Sequence, residues 1–342
     1  MEITTILGEN YSRQINTALL RSASPIFQNT GSILSVHETG LSNKLLDYIF
    51  NKIEFGIPSA KLTFEEYKSL ISALNVFKMN YIDSLRNFRS IISKFNKHEF
   101  SEIVYLLVDN NVDPALNKND LKLFSVGAGF EKYIIDASKN TYLDYSYFST
   151  AGEVSRYSSL MPWHLTTVRD VILREIPNVK QITDLTAHIG VDSVNFSVVL
   201  PTVNVISIEI DPQVFLLLRD NLLRYCIVNK RYPSTLRAYN SDATQALSHH
   251  LVISSDVVYV DPPWGGADYV QQESVRLMLG TMTIEDVVRQ LLQNGVRTII
   301  LKGPGNLYVD ELYTISNKIN RYEIKTKPRG GKLSYLLFVI RK

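Results

Sequence analysis

The segment from 257 to 266 constrains this chain more than any other part of its sequence. Four apolar residues, VVYV (257–260), are followed directly by DPPWGG (261–266). The apolar run is typical of a strand buried inside a parallel sheet. The two prolines fix the backbone that follows and hold Asp261 and Trp264 at defined positions, and the glycines leave room for a close ligand. The segment therefore predicts an α/β sheet whose reacting groups lie at a strand end.

The same residues suit chemistry on a planar amine. The amino nitrogen of a base is a poor nucleophile because its lone pair is delocalised into the ring. Hydrogen bonds from its two N–H groups to the Asp261 carboxylate and to the backbone carbonyl of Pro262 would localise that lone pair, and Trp264 would stack on the base. A lone Asp-Pro-Pro indicates only a capped turn, but the added tryptophan and glycines favour a functional site.

Three earlier positions fit a nucleotide-type site. The sequence QITDLTAHIGVD (181–192) predicts a short strand and a loop that precedes an apolar helix, which brings backbone N–H groups to a ligand. Glu209 ends the apolar strand NVISIE (204–209) and lies 25 residues after Asp184, close to the spacing of about 20 expected for an acid that binds ribose hydroxyls. Asp242 follows a further strand, where it would either bind an adenine amine or cap a helix.

Strand and helix patterns alternate through this half of the chain. Helices are predicted at 213–229, 271–279, 283–294 and 310–318, and strands at 297–302, 322–327 and 333–340. A turn at 328–331 joins the last two strands as a hairpin. Alternation that ends in an antiparallel pair predicts an α/β fold with helices packed on a mostly parallel sheet.

An Asp/Asn/Ser-Pro-Pro-aromatic sequence after the fourth strand resembles motif IV of the S-adenosylmethionine-dependent amino-methyltransferases. The longer stretch VVYVDPPWGGADY (257–269) is similar to the trimethylguanosine synthases, which methylate the N2 amine of a 7-methylguanosine RNA cap. That family more often has serine or asparagine in place of Asp261 and proline in place of Ala267, and D-P-P-W also occurs in N6-adenine methyltransferases. The resemblance covers about residues 161–342 and implies a Rossmann-like, seven-stranded class I methyltransferase sheet.

The loop at 184–192 resembles motif I of the same family, D-x-x-x-G-x-G-G-N. Asp184 and Gly190 agree with it. His188 and Val191 stand where the family has glycines, and Asp192 replaces its asparagine. Since glycine serves such loops through positive φ and close approach, either the loop keeps its path with the side chains turned out or the cofactor site is degraded.

The resemblance implies S-adenosyl-L-methionine as cofactor, a 7-methylguanosine-capped RNA as substrate and no metal. The residues implied in cofactor binding are Asp184, Gly190, Glu209, Asp242 and Asp261. Those implied in catalysis are Asp261, Pro262 and Trp264. The rings implied in holding the cationic base by cation–π contact are Trp264, Tyr269 and Trp163, the last from a segment weakly similar to the family's W-F-S-V-T-P.

The first 140 residues predict an α-helical domain. TFEE (63–66) fits a capping box, apolar residues recur at helical spacing from there to 97, and shorter helical patterns appear at 41–55 and 99–109. Basic residues between 86 and 97 suit RNA phosphates, although a solvated helix face is the interpretation we prefer. An aromatic-rich connecting or capping segment, 141–165, then leads to a methyltransferase domain, 166–342.

Composition agrees with an enzyme of two domains. The chain has 342 residues, 45% of them hydrophobic, and a net charge of +2, so an RNA site must come from local patches. Cys226 is the single cysteine, which excludes an internal disulfide and favours a reducing intracellular compartment, cytoplasmic or nuclear. The sequence lacks a signal-peptide pattern and a long apolar run, so we expect no membrane partner. A protein partner is expected for the helical domain.

Two other functions fit the same sequence. One is methylation of another base amine, such as adenine N6 or a guanine N2 in ribosomal or transfer RNA, which would not need the 7-methyl group. The other is a catalytically degenerate methyltransferase fold that serves as an RNA-binding or assembly subunit. His188 and Val191 favour this second alternative.

Overall fold

The chain divides into two compact units, Met1–Ala115 and Leu116–Lys342. The computed structural model describes residues 3–8, 11–23, 33–36, 41–55, 62–76, 96–110, 114, 116, 162–325 and 333–342. The aromatic segment up to 161, the basic residues from 86 to 94 and the hairpin turn at 328–331 lie outside this part of the chain. The domain limits at 140 and 165 therefore stay predictions.

The described strands are β1 (Ile3–Gly8), β2 (Tyr11–Asn16), β3 (Ile33–Ser35), β4 (Gln181–Asp184), β5 (Asn204–Glu209), β6 (Leu236–Asn240), β7 (Val257–Val260), β8 (Met278–Leu279), β9 (Met282–Thr283), β10 (Thr298–Gly303), β11 (Ile319–Lys325) and β12 (Leu333–Arg341). The described α-helices are α1 (Thr17–Ala23), α2 (Asn43–Phe55), α3 (Phe64–Val76), α4 (Lys97–Asp109), α5 (Pro162–Glu175), α6 (Val191–Val199), α7 (Pro212–Asn229), α8 (Ala243–Ala246), α9 (His250–Ile253), α10 (Ile284–Gln293) and α11 (Asp310–Ile315). Short 3-10 helices span Pro233–Thr235 and Ala267–Gln271.

A seven-stranded sheet forms the frame of the second unit. Its strand order is β11-β12-β10-β7-β4-β5-β6. Strands β10, β7, β4, β5 and β6 are parallel, whereas β12 runs antiparallel to β10 and to β11. This is the class I methyltransferase fold, as predicted. The strand order reverses between β4 and β7, and open α/β sheets bind their ligands at such a point.

Apolar side chains cover both faces of this sheet. All four residues of β7 and all six of β10 are buried, as expected for central strands enclosed on both faces of the sheet. On one face Val258 and Val260 pack with Ile284 and Leu291 of α10. On the other, Tyr259 packs with residues of α5 and α6. The carboxyl ends of the strands are consequently held at fixed positions relative to one another.

The first unit combines helices with a small sheet. Helices α2, α3 and α4 confirm the predicted helical patterns where residues are described, and the part of the pattern at 77–95 lies outside them. Thr63 and Glu66 form the predicted capping box, with Glu66 accepting from the Thr63 N–H at 2.8 Å. The first unit is not helical throughout, however, because β2, β1 and β3 form a three-stranded sheet in that order. Their threonines and serines hide the alternation that indicates a half-buried strand.

Most predicted elements of the second unit are confirmed within a few residues, including helices α7 and α10 and strands β10, β11 and β12. The helix predicted at 271–279 is wrong. Residues 267–271 form a 3-10 helix, and β8 and β9 then pair as a short hairpin around Gly280, which has a φ of +60°. A glycine at positive φ is favoured in such a turn and disfavoured in a helix.

Candidate functional site

A cleft opens at the carboxyl ends of the parallel strands, where β4 and β7 lie side by side. The residues that line it are Thr186, Ala187, His188, Ile189, Val191, Asp192 and Asp261. Six of these belong to the loop and helix start that follow β4, and the seventh begins the segment after β7. Because β5 and β6 are parallel to β4, Glu209 and Asp242 lie at the same edge of the sheet. The structure therefore brings the four predicted segments together.

The loop after β4 needs glycine at position 190. Gly190 has a φ of +89°, and a Cβ atom built on it would lie 2.6 Å from Cδ1 of Leu218. Its N–H donates to the carbonyl of Ala187 at 2.8 Å, while the N–H of Ala187 donates to Ile208 at 3.0 Å. Gly190 thus shapes the wall of the cleft by letting helix α7 pack closely beneath the loop.

The loop keeps a left-handed turn at His188, where the family has glycine. His188 has a φ of +51°, a conformation in which histidine is enriched among the non-glycine residues. It is among the residues that line the cleft. Burial lowers the pKa of the imidazole. Val191 is buried and packs with Leu218 and Leu222, so this second departure from the family serves packing of the first turn of α6.

Asp184 is buried beneath the cleft. Its Oδ2 accepts a hydrogen bond from the Ser193 hydroxyl at 2.7 Å, and Ser193 in turn accepts one from Ser207 at 2.8 Å. Its Oδ1 accepts from the N–H of Thr186 at 3.3 Å. Burial, reinforced by Asp192, raises the pKa of Asp184 to about 7. The residue ties β4, the loop and α6 together from below.

Glu209 ends β5 with a half-buried carboxylate. Its Oε1 accepts from the N–H of Asp211 at 2.8 Å, and the backbone N–H groups of His188 and Ile210 also stabilise its charged form. Burial nevertheless raises the pKa of Glu209. The carboxylate therefore links the loop after β4 to the strand beside it, in the place where a ribose acid was predicted.

Asp242 acts as the N-cap of helix α8. Its Oδ1 accepts from the N–H of Thr244 at 2.8 Å and from the Thr244 hydroxyl at 2.7 Å. This is the helix-capping role that the sequence left open. A contact to an adenine amine stays a prediction. The second carboxylate oxygen of Asp242 would have to accept that hydrogen bond.

Asp261 lines the cleft and pairs with a lysine that the sequence motifs do not indicate. Its N–H donates to the Thr186 hydroxyl at 3.0 Å. Its Oδ2 lies 2.6 Å from Nζ of Lys302, with side-chain exposures of 9% for the aspartate and 2% for the lysine. Burial raises the pKa of Asp261 to about 6, while the charge of Lys302 opposes this rise.

Trp264 stands beside this ion pair. Its ring packs edge to face against Tyr269, with 5.3 Å between the centroids, and Nζ of Lys302 lies 5.5 Å from its centroid. Pro262 is buried next to it. The indole N–H is buried without an acceptor in hydrogen-bond geometry, yet it lies near enough to Asp261 to lower that carboxyl's pKa. Trp163 belongs to helix α5 by its backbone, and its side chain lies outside the described part.

Lys302 is the main residue that sequence reasoning missed. It lies near the end of an apolar strand, where a lysine ordinarily indicates emergence into solvent. The register gives the signal that would have found it. Leu301 pairs with Val260 in the parallel ladder of β10 and β7, so the next residues along, Lys302 and Asp261, must lie side by side.

Residues 179–340 match the family model described as RNA cap guanine-N2 methyltransferase. The predicted resemblance is confirmed. The match includes the loop after β4, Glu209, Asp242 and the DPPWGG segment, and it leaves out the first unit.

An uncharacterized protein of Acanthamoeba polyphaga mimivirus is 31% identical over 151 residues, which is 42% of this chain and 54% of that protein. The chain thus spans about half the length of this curated relative. Among solved structures, an O-methyltransferase from Bacillus cereus in complex with SAH has 14% identity, a TM-score of 0.37 and coverage of 57% of this chain and 91% of that one. A human methyltransferase 10 domain containing protein has 10% identity, a TM-score of 0.35 and coverage of 52% and 81%.

S-adenosylmethionine is the cofactor that the class I fold and the family match assign, and the residues at the cleft fit it. That molecule carries a sulfonium and an ammonium group, and the carboxylates of Asp192 and Asp261 both line the cleft. Asp192 is fixed by the hydroxyl of Tyr259, which donates to its Oδ2 at 3.3 Å. Glu209 supplies a third carboxylate at the end of the adjacent strand, the position predicted for an acid that would accept from ribose hydroxyls.

Within the part of the chain that the structure describes, no helix is long and apolar enough to cross a membrane. The same residues contain no cluster of histidine, cysteine, aspartate or glutamate suited to a metal ion. Cys226 is buried in α7, where burial raises the pKa of its thiol to about 12.

Proposed function

We propose that the second unit transfers a methyl group from S-adenosylmethionine to the N2 amine of a guanine, that of a 7-methylguanosine RNA cap. The observation that carries this proposal is that Asp261 lines the cleft formed by the loop after β4, while Trp264 lies beside the Lys302 ammonium group that pairs with Asp261. A carboxylate and an aromatic ring fixed by two prolines are the groups that a planar base amine requires. The family match over residues 179–340 supports the same acceptor.

Asp261 acts on the acceptor amine in two ways. Its carboxylate accepts a hydrogen bond from one N–H, while the carbonyl of Pro262 accepts the other, and the nitrogen lone pair is thereby directed out of conjugation. When bound, S-adenosylmethionine supplies a methyl carbon that its sulfonium already activates. As the nitrogen–carbon bond forms and the carbon–sulfur bond breaks, sulfur keeps the electron pair and the nitrogen becomes positive. Asp261 then takes the surplus proton, which suits a carboxylate with a pKa of about 6.

The rest of the site serves binding and orientation. Positioning of this kind contributes up to roughly 7–11 kcal/mol where it imposes near-attack geometry. Glu209 holds the ribose and Asp242 holds the adenine. Asp184 and Gly190 maintain the loop around the methionine end of the cofactor. Trp264 stacks on the acceptor base, and Tyr269 fixes the angle of that ring through its edge-to-face contact.

One observation favours a second acceptor. Position 261 is aspartate, as in D-P-P-W enzymes that act on adenine N6, where the cap family more often has a neutral residue. An adenine amine would be polarised by Asp261 in the same manner, but it carries no positive charge for Trp264 to attract.

The test is transfer of an isotope-labelled methyl group from S-adenosylmethionine to three RNA acceptors. These carry a 7-methylguanosine cap, an unmethylated guanosine cap, or no cap and internal adenines. Product nucleosides are identified by mass spectrometry after digestion. We expect N2-methylated 7-methylguanosine as the main product. Label only on adenine would support the second acceptor, and label on none, with S-adenosylmethionine bound, would indicate a binding subunit.

A further inference from the structure

Lys302 lies in an environment that lysine rarely occupies. Its side chain is 2% exposed, and Nζ lies between the rings of Trp264 and Tyr335, at 5.5 and 5.3 Å from their centroids. Removing an ammonium group from water is costly unless a carboxylate and further polar contacts compensate. Here the carboxylate is Asp261, the residue proposed to act on the acceptor amine. Lys302 thus contacts a residue that is proposed to act directly on the substrate.

The ion pair leaves one oxygen of Asp261 for the acceptor. Nζ of Lys302 lies 2.6 Å from Oδ2, so Oδ1 is the oxygen that can accept from an amine. The backbone of Asp261 is fixed separately by its hydrogen bond to Thr186. An NH2 group flanked by one carboxylate oxygen and one backbone carbonyl needs no second carboxylate oxygen, so occupation of Oδ2 is compatible with the proposed transfer.

We infer that Lys302 is a positioning residue that keeps Asp261 ionised and turns a single carboxylate oxygen towards the acceptor amine. The inference rests on the proposed function. It also explains how this chain carries aspartate where the cap family more often has a neutral serine or asparagine. Asp261 and Lys302 form a pair without net charge, so the buried lysine compensates the buried acid.

The surrounding groups show why the lysine is needed. Burial is the main cause that raises the pKa of Asp261, and the carboxylate of Asp192 raises it further. Lys302 is the strongest influence that lowers it, followed by the indole of Trp264. Asp184, Tyr259 and Tyr335 interact with Asp261 or Asp192, His164 interacts with Lys302, and His188 lines the same cleft as Asp261. Burial holds the phenol pKa values of Tyr259 and Tyr335 well above their ordinary value, so both phenols stay neutral, and burial lowers the pKa of His164, which disfavours a positive charge on its imidazole.

Loss of the lysine charge therefore has a defined consequence. The pKa of Asp261 would rise from about 6, so a larger fraction of the carboxyl would be protonated near neutral pH. A protonated carboxyl donates a hydrogen bond from its O–H and takes up no proton from the methylated amine. Activity would return only as the pH is raised far enough to ionise it.

The experiment compares the pH profile of methyl transfer in the full chain with that of Lys302→Met and Lys302→Arg. Lys180→Met, at an exposed lysine just before β4, is the matched control. For Lys302→Met we expect a rising limb displaced to higher pH by about one unit, so transfer should be about twofold slower at pH 7 and about tenfold slower at pH 5, since each pKa unit changes the ionised fraction about tenfold only below the pKa. Lys302→Arg should restore most of the rate, and Lys180→Met should behave as wild type. A rising limb at the wild-type pH in Lys302→Met would overturn the inference.

A double variant keeps the inference testable if Lys302→Met alone fails to fold. Asp261→Asn with Lys302→Met removes both charges together, so no buried charge is left unpaired. If the lysine acts through the aspartate, the double variant transfers methyl groups no more slowly than Asp261→Asn alone, and its rate is independent of pH in the range where wild type titrates. A double variant that is about tenfold or more slower than Asp261→Asn would show an independent role and contradict the inference.

A direct titration separates this inference from the proposed function. Carboxyl-labelled aspartate gives a 13C signal for Asp261, assigned by its loss in Asp261→Asn. The titration midpoint should move to higher pH in Lys302→Met and stay unchanged in Lys180→Met. If wild type methylates none of the RNA acceptors, the proposed function fails, and the titration still decides whether Lys302 controls the ionisation of Asp261.

Discussion

Ser193 donates its hydroxyl to Oδ2 of Asp184 across 2.7 Å, and both side chains are almost fully buried. The contact joins the end of the central strand β4 to the first turn of helix α6, so it closes the loop that lines the cleft. Burial disfavours the ionised form of Asp184 and raises its pKa to about 7 from an ordinary value of 3.8. The residue that supports the loop is therefore also a source of pH dependence.

The first prediction concerns that pH dependence. A carboxyl with a raised folded-state pKa stabilises the fold fully below its unfolded pKa, and this contribution is lost as the pH rises through the folded value. Between pH 4 and 7 the free energy of unfolding should fall, by up to about 4 kcal/mol from Asp184. Asp184→Asn, which can keep a hydrogen bond to Ser193, should flatten the slope. Urea unfolding from pH 4 to 8 measures it, and equal slopes in both proteins would contradict the assignment.

The second prediction concerns Gly190. Alanine there must adopt a φ of +89° and also push Leu218 away, so we expect a loss of about 2–4 kcal/mol in unfolding free energy. Gly295→Ala is the matched control, since its φ is +100° but a Cβ would meet its nearest neighbour at an ordinary 3.8 Å. The control should lose only about 1–2 kcal/mol. Equal losses in chemical denaturation would mean that the close packing beneath the loop contributes nothing.

The third prediction concerns the ribose acid. Glu209→Ala should weaken S-adenosylmethionine binding by about 1–3 kcal/mol, the range for a lost charge-assisted hydrogen bond. Calorimetric titration with the cofactor measures the change, and Glu323→Ala, at an exposed acid of β11, serves as the control. Unchanged affinity in Glu209→Ala would remove Glu209 from the cofactor site.

The fourth prediction separates the two roles of Asp242. Serine at this position can still cap helix α8 through its hydroxyl, but it has no carboxylate for an adenine amine. Asp242→Ser should therefore keep the wild-type unfolding free energy within about 0.5 kcal/mol while the affinity for S-adenosylmethionine falls. Full affinity in this variant would leave Asp242 as a helix cap alone.

The fold of the second unit was predictable because its signals are local. Strands enclosed on both faces, such as β7, must be continuously apolar, and Asp184, Glu209 and Asp261 each mark the end of such a run. Lys302 was not singled out because its burial depends on a partner 41 residues away along the chain. Its role follows from register, which the composition of one strand does not reveal.

Two differences between the predicted and the observed elements also arise from contacts that a local sequence pattern does not reveal. The helix predicted at 271–279 has apolar residues at suitable spacing, but the glycine that follows starts a hairpin, and pairing of β8 with β9 overrides the helical pattern. In the first unit, Thr4 is buried and its hydroxyl is bonded to that of Thr17 at 3.0 Å. Threonine counts as a polar residue in a sequence pattern. A buried threonine such as Thr4 therefore hides the alternation that would indicate its strand.

The fifth prediction concerns Trp264, the platform proposed for the acceptor base. A positively charged 7-methylguanine is attracted to the face of an indole by about 0.5–2 kcal/mol more than a neutral guanine is. Trp264→Ala should abolish the preference for the 7-methylated cap and leave S-adenosylmethionine binding nearly intact. Trp264→Phe should retain part of the preference, because a smaller ring still presents an electron-rich face.

The most direct measurement is the ratio of methyl-transfer rates on 7-methylguanosine-capped and guanosine-capped RNA, for wild type and both Trp264 variants. We expect wild type to favour the 7-methylated cap by roughly 2- to 30-fold, the equivalent of that attraction, with the phenylalanine variant between wild type and alanine. Equal rates on the two caps in wild type would contradict the cap assignment and leave a methyltransferase for another base amine as the better description.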